Sequence, residues 1–92
     1  MNKSLKKKWV AALRSGKYQQ TDCVLKYSNG YCCLGVLREI MHPKSRRGVT
    51  YLCKDHMEEA GLTMRNQKTM SNLNDVMGYS FKRIATYIER KY

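Results

Sequence analysis

Residues 23–41 read CVLKYSNGYCCLGVLREIM and decide which elements the chain can form. Two β-favouring runs, 23–27 and 31–33, flank Ser28-Asn29-Gly30, and an Asn-Gly pair in this setting is a strong hairpin signal because both residues tolerate positive φ. Apolar side chains then recur at helical spacing from Cys33 to Met41, and His42-Pro43 ends the run. Because a two-stranded hairpin is marginal alone, the stretch predicts a short antiparallel hairpin packed on a helix.

An amphipathic helix is predicted before this stretch. Ser4 is the expected N-cap and Ser15-Gly16 the stop. The apolar side chains at helical spacing are Leu5, Trp9, Ala12 and Leu13. In the following helix, Gly35 costs about 1 kcal/mol relative to Ala, which indicates that another part of the chain packs closely there.

The second half of the chain predicts three more helices. Residues 49–53 favour a third strand, and 62–67 are expected to be connecting chain. The predicted helices are Asp55 to Ala60, closed by Gly61, then Lys68 to Met77, and a final helix capped by Ser80 after a turn at Gly78-Tyr79. The last helix carries a clear apolar seam of Phe81, Ile84, Ala85 and Ile88.

Together these elements predict one α+β domain over residues 1–92, mainly helical, with one short antiparallel hairpin. At 92 residues the chain is too short for a doubly wound sheet, a barrel or a two-domain enzyme. The C-terminal helices form a helix-turn-helix-like pair, for which an ordinary αα-corner is the simpler interpretation. The expected core is Trp9, Leu13, Leu34, Leu37, Ile40, Phe81, Ile84 and Ile88.

Charge gives the main functional indication. The chain has 18 Lys and Arg against 7 Asp and Glu, a net charge of +11, with a pI near 9.8. Such an excess favours a polyanionic partner. Arg83, Tyr87 and Arg90 step by four and three along the last helix and so form one strip that could contact phosphates and stack a base. The candidate nucleic-acid or polyanion contacts are Lys6, Lys7, Lys8, Arg46, Arg47, Arg83, Tyr87, Arg90 and Lys91.

Metal binding and catalysis have weaker support. Cys53 and His56 have the spacing of zinc ligands, and Cys23, Cys32 and His42 could complete a site, but no second paired motif is present. Four small, buried or half-buried free thiols are the simpler interpretation. A Cys–His dyad has no supporting signature, and no phosphate-cradling glycine motif occurs. We therefore expect no enzyme activity, no catalytic residues, no metal and no cofactor.

The N-terminal residues indicate the cellular compartment in which we expect the protein. Residues 1–8 are basic like the start of a signal peptide, but the apolar run from Trp9 to Leu13 stops at Arg14 and is too short for export or for a bilayer. We expect a soluble intracellular protein with reduced thiols and no membrane partner.

Three phrases of the sequence resemble a group of short proteins from tailed bacteriophages and prophages. They are WVAALRSGKYQQ at residues 9–20, YCCLGVL at 31–37, and LND at 73–75 with GYSF at 78–81 and IATYIE at 84–89. The similarity covers most of the chain apart from residues 42–68. The group carries no assigned activity, so the resemblance implies a viral protein in the cytoplasm of an infected bacterium and little chemistry.

Charge and the viral setting together predict a non-enzymatic accessory protein of a bacteriophage. Its basic faces would bind nucleic acid or a nucleic-acid-handling complex of the host. One alternative is an inhibitor of a host defence system, such as an anti-CRISPR protein, that matches an acidic protein surface. Another is a protein that binds an anionic nucleotide signal.

Overall fold

The computed structural model describes residues 1–44 and 47–92. Within these ranges the chain forms five helices and three two-residue strands. The helices are α1 (Lys3–Arg14), α2 (Cys33–Met41), α3 (Lys54–Ala60), α4 (Met64–Asp75) and α5 (Phe81–Lys91). The strands are β1 (Gln19–Gln20), β2 (Lys26–Tyr27) and β3 (Gly30–Tyr31). The prediction of a single, mainly helical α+β domain is confirmed.

Helix α1 begins two residues earlier than predicted. Asn2, not Ser4, is the N-cap, and its Oδ1 accepts a hydrogen bond from the Leu5 N–H at 2.9 Å. The prediction of Ser4 was wrong because either residue type can cap, and only the path of the chain decides between them. Trp9 is fully buried, and its Nε1–H donates to the Cys33 carbonyl at 2.8 Å, which fixes α1 to the start of α2.

The sheet contains the predicted hairpin and one strand more. β2 pairs antiparallel with β3, and Tyr27 lies opposite Gly30, so the turn residues are Ser28 and Asn29 rather than Asn29 and Gly30. Ser28 takes the positive φ, 53°. Gly30 is required for a different reason, because a Cβ there would lie 2.9 Å from the Cβ of Thr21. β1 was not predicted; it pairs parallel with β3, which gives the strand order β1-β3-β2.

Helix α2 has the predicted bounds, and Gly35 has the predicted role. A Cβ on Gly35 would lie 1.6 Å from the Leu25 carbonyl oxygen, so the backbone before the hairpin crosses directly over this turn of α2. Leu25 is itself fully buried. No side chain fits between the two backbones, and the crossing holds the hairpin on the helix.

Residues 49–53 do not form the expected strand. The Val49 carbonyl accepts the Leu25 N–H at 2.7 Å, but no ladder continues among the described residues. Leu52 pairs instead with the fully buried side chain of Gln67, whose Oε1 accepts the Leu52 N–H and whose Nε2 lies 3.5 Å from the Leu52 carbonyl. An amide side chain therefore satisfies the backbone that a neighbouring strand was expected to satisfy.

Helix α4 begins inside the segment that was expected to be connecting chain. Thr63 caps it, accepting the Asn66 N–H, while the Asn66 side chain accepts the Thr63 N–H in return. This capping box has Asn where the usual pattern has Glu or Gln, which is why the sequence did not reveal it. The helix ends at Asp75 rather than Met77. The short helix before Gly61 and the Ser80 cap of α5 are confirmed.

The core lies between α1, α2, α4 and α5. Of its eight predicted residues, all are buried except Ile40, which packs at the edge in the last turn of α2 and is half-buried. Three polar residues, Arg38, Gln67 and Asn74, are also buried. Over residues 1–44 and 47–92, no helix is long and apolar enough to cross a membrane, since the longest have 12 residues and a span needs about 20.

Candidate nucleic-acid interface

Helix α5 turns its apolar seam inward and leaves its cations outside. Phe81, Ile84, Ala85 and Ile88 are buried, mainly against α1, while the basic side chains are exposed. The start of the helix is held by two acceptors: Ser80 Oγ accepts the Arg83 N–H at 3.3 Å, and Gln20 Oε1 accepts the Phe81 N–H at 3.2 Å. The direction of α5, and with it the position of every cation on it, is therefore set by β1 as well as by the core.

One groove runs along the exposed side of α5, and we name it the aromatic groove. Its volume is about 300 Å³, and its lining residues are Tyr79, Arg83, Thr86, Tyr87, Arg90 and Lys91. The Arg83 guanidinium carbon lies 3.8 Å from the centroid of the Tyr79 ring, a cation–π contact that covers one face of that ring. Tyr87 meets Tyr92 edge to face, with the ring centroids 6.1 Å apart.

A second groove, which we name the lysine groove, runs along α1 where that helix meets α5. Its volume is about 370 Å³, and its lining residues are Lys3, Lys6, Lys7, Val10, Ala11, Arg14 and Glu89. The Lys6 Nζ donates to the backbone carbonyl of Glu89 at 3.2 Å. Arg14 lines this groove and also donates to the Thr86 hydroxyl of the aromatic groove at 3.4 Å, so the two grooves adjoin.

Glu89 is the single carboxylate in these two helices. Its two oxygens accept from the Arg14 guanidinium at 2.9 and 3.0 Å, a bidentate pair, and these hydrogen bonds lower the pKa of Glu89. Both side chains are substantially exposed, so the pair adds little to the free energy of unfolding. The pair engages the guanidinium of Arg14, whereas the other charges on this surface are positive.

The charges of the protein are unevenly distributed over the fold. Helices α1 and α5 together carry nine of the 18 Lys and Arg and only one of the seven carboxylates. Three other carboxylates lie on the short helix α3. Because α1 and α5 pack against each other, half of the positive charge of the chain is gathered on one pair of helices.

The structure brings together six of the nine predicted contact residues. Arg83, Tyr87, Arg90 and Lys91 line the aromatic groove, and Lys6 and Lys7 line the lysine groove. Lys8 is exposed but lines neither groove, because it lies about 200° around the helix from Lys6 and so beyond the grooved side. Arg47 is exposed in the loop beside β2, on the far side of the sheet from β1. Arg46 lies outside the described residues.

Among the cationic and aromatic residues of the grooves, the predicted contacts did not include Lys3, Arg14 and Tyr79. Tyr79 precedes Arg83 by four residues, the spacing of neighbours on a helix face, and that spacing could have indicated their contact. The place of Lys3 and Arg14 depends on α1 packing beside α5, which no local pattern reveals.

The four cysteines differ in their burial. Cys32 and Cys33 are buried, whereas Cys23 and Cys53, which were expected to be at least half-buried, are exposed. Cys23 lies in a bend with a φ of 67°, and Cys53 is the N-cap of α3. Among the residues that the structure describes, no group of three or more His, Cys, Asp and Glu side chains could hold a metal ion.

Three of the four thiols also have little nucleophilic character. Burial raises the pKa of Cys32 to about 11, and burial likewise raises the pKa of Cys33 well above its usual value. The nearby charge of Asp22 raises the pKa of Cys23. These three thiols therefore stay protonated at neutral pH, and the thiolate is the reactive form.

Similarity to known proteins gives a family and no activity. No curated protein and no solved structure matches this chain. Residues 1–55, which include α1, the sheet and α2, match the family described as Domain of unknown function (DUF8296). Since the match spans more than half of its 92 residues, the chain belongs to this family of unknown function.

Proposed function

We propose that this protein is a non-enzymatic accessory protein of a bacteriophage that binds nucleic acid through the surface of α1 and α5. The observation that carries the proposal is that the cations of these two helices line two adjoining grooves with one carboxylate between them. We name this set of cations the basic wall; it consists of Lys3, Lys6, Lys7, Arg14, Arg83, Arg90 and Lys91. The viral setting rests on the sequence resemblance.

The physical basis is the release of counterions from phosphates. Exposed Lys and Arg that replace condensed cations on a nucleic acid gain free energy that falls as salt rises. Cations that are spread over a whole surface and paired with acids cannot act together in this way. On the basic wall, Glu89 pairs with Arg14, and the remaining side chains face the two grooves. The wall therefore offers several phosphate contacts in one place.

Neutralising the C-terminal end of the basic wall should weaken binding. In the variant with Arg83→Gln, Arg90→Gln and Lys91→Gln, we expect nucleic-acid affinity to fall at least about ten-fold at low salt, because as many as three phosphate contacts are lost. The slope of log affinity against log salt should become shallower by up to about 2 to 3. Fluorescence anisotropy with a labelled oligonucleotide, repeated over a salt series, measures both quantities.

The matched control removes the same charge elsewhere. The variant with Lys44→Gln, Arg47→Gln and Lys54→Gln changes the loop after α2 and the start of α3, where all three side chains are exposed. We expect its affinity and salt slope to stay close to those of the wild type. Equal losses in the two triple variants would mean that net charge alone attracts the nucleic acid, and the proposed surface would be wrong.

Removing Glu89, the one carboxylate on α1 and α5, should strengthen nucleic-acid binding. We expect Glu89→Gln to raise nucleic-acid affinity several-fold, because a repulsive charge disappears and Arg14 is released from its bidentate pair. The salt slope should steepen by up to about 1 if Arg14 then contacts a phosphate. Weaker binding by Glu89→Gln in the same anisotropy experiment would show that the surface works only when Arg14 is held in place.

Inhibition of a host defence protein is the second candidate. Val76 and Met77, in the turn between α4 and α5, are 76 % and 53 % exposed, and adjacent exposed apolar side chains suit a protein contact. Pull-down from bacterial lysate, with and without nuclease, separates the two functions. A stoichiometric protein that survives nuclease treatment supports the inhibitor, whereas proteins that disappear with the nucleic acid support the first proposal.

A further inference from the structure

The two grooves of the basic wall differ in what lies between their cations. In the lysine groove the apolar lining is Val10 and Ala11, which are small and aliphatic. In the aromatic groove two tyrosine rings lie among Arg83, Arg90 and Lys91. Phosphate binding needs only the cations. The two tyrosine rings therefore favour a ligand that also has an apolar, planar part.

The two rings differ in their neighbours, since a cation contacts the face of Tyr79 whereas Tyr87 meets another ring. One face of Tyr79 is already covered by the Arg83 guanidinium at 3.8 Å. Tyr87 meets Tyr92 edge to face, an arrangement that leaves at least one face of the Tyr87 ring uncovered by its neighbour. Tyr87 and Arg83 lie four residues apart on α5 and line the same groove.

Tyr92, the aromatic neighbour of Tyr87, is positioned by its own packing. Tyr92 is partly buried against the hydrophobic core, and this burial raises its pKa. Tyr92 in turn supports the ring of Tyr87. A ring that is braced before the ligand arrives loses little side-chain entropy when a planar group stacks on it.

A base inside a duplex is stacked on both faces and cannot reach such a ring. An unpaired base can, and every base has a face on which to stack, so the contact would be tolerant of sequence. The groove of about 300 Å³ lies at the lower limit of small-molecule sites, which is suitable for one planar ring system.

We infer that the aromatic groove takes one unpaired base of a single-stranded nucleic acid, stacked on Tyr87, with the adjoining phosphates bound by Arg83, Arg90 and Lys91. This inference rests on the proposed function, and it specifies the substrate class as single strand rather than duplex. The lysine groove, which has no aromatic lining, contributes charge only.

Three probes of equal length test the inference with the wild-type protein. They are a fluorescein-labelled oligothymidylate, the same strand with abasic sites in place of its bases, and a DNA duplex, all compared by anisotropy at one salt concentration. We expect the oligothymidylate to bind about ten-fold more tightly than the abasic strand, which has the same phosphates. The duplex should bind more weakly than the oligothymidylate.

Two variants at one position then assign the base contact. Tyr87→Leu keeps an apolar side chain beside Tyr92 but has no ring, and we expect it to lose the ten-fold preference while it binds the abasic strand as the wild type does. Tyr87→Phe keeps the ring and should keep the preference. Circular dichroism on heating shows that both variants are folded.

Other results overturn the inference in distinguishable ways. Equal wild-type affinity for the oligothymidylate and the abasic strand, tighter binding of the duplex, or an unchanged preference in Tyr87→Leu would rule out base stacking but leave nucleic-acid binding intact. If the wild type binds none of the three probes, the proposed function itself fails, and the inference fails with it.

Discussion

Gly35→Ala is expected to destabilise the protein by at least about 3 kcal/mol, more than half of the stability of a protein at the lower end of the usual range. The added Cβ would be placed 1.6 Å from the carbonyl oxygen of Leu25. No rotamer change can relieve this overlap, because the backbone of α2 fixes the position of the Cβ and the oxygen itself is a backbone atom. Either the hairpin must move off α2 or the helix must open.

The expected loss of stability in Gly35→Ala is opposite in sign to the change that helix propensity alone predicts. In an isolated helix, replacing Gly with Ala is favourable by about 1 kcal/mol, so local preference predicts a more stable protein. Urea denaturation followed by circular dichroism measures the free energy of unfolding of both forms. A Gly35→Ala protein as stable as the wild type would mean that residues 23–27 do not cross over α2 as described.

Gly16→Ala is the control for glycine replacement in general. Gly16 follows α1 with a φ of 77°, and a Cβ there would meet no atom within 4 Å. Its replacement should cost only the strain of a left-handed residue with a side chain, about 1 kcal/mol. The difference between the two variants then reports the close approach of two backbones at Gly35.

Asn74→Ala is expected to lower the free energy of unfolding by about 2 to 4 kcal/mol, because it removes hydrogen bonds from one buried and three partly buried polar groups. Asn74 lies on α4 and is 4 % exposed. Its Oδ1 accepts from the Cys33 N–H at 3.2 Å and from Gln20 Nε2 at 2.9 Å. Its Nδ2 donates to the Thr21 carbonyl at 2.9 Å and to the Asp75 carboxylate at 2.8 Å.

The neighbouring residue Asn72 gives a matched control, since it is the same residue type on the same helix and is exposed. Asn72→Ala should change the free energy of unfolding by no more than about 0.5 kcal/mol. Thermal and urea denaturation of the two variants in parallel provide the comparison. Equal losses would show that the hydrogen bonds of Asn74 contribute no more than a surface amide.

Asn74 also connects the core to the proposed interface. It positions Gln20, whose Nε2 also donates to the Tyr79 carbonyl at 2.8 Å and whose Oε1 accepts the Phe81 N–H. Tyr79 lines the aromatic groove, and Phe81 begins α5. A residue remote from the groove therefore sets where its first ring lies, and loss of Asn74 should weaken binding as well as folding.

The local patterns of the sequence were sufficient for the parts of the fold that depend on neighbours in the chain. The bounds of α2, the cap and seam of α5 and seven of the eight core residues follow from apolar spacing and turn residues, and the structure confirms them. The close approach at Gly35 was also indicated, because a glycine that costs helix stability needs a reason elsewhere. The net charge and the strip on the last helix indicated the kind of partner to propose.

Contacts between distant residues decided most of the rest. Strand β1 exists because Gln19–Gln20 meets β3, and residues 49–53 remain outside the sheet because Gln67 satisfies Leu52. The same holds for the site: α1 adds Lys3 and Arg14 to the cations of α5 only because the two helices pack together. Periodicity and capping act over a few residues and can be read from the chain, whereas a groove between two helices belongs to neither helix and forms only when the core brings them together.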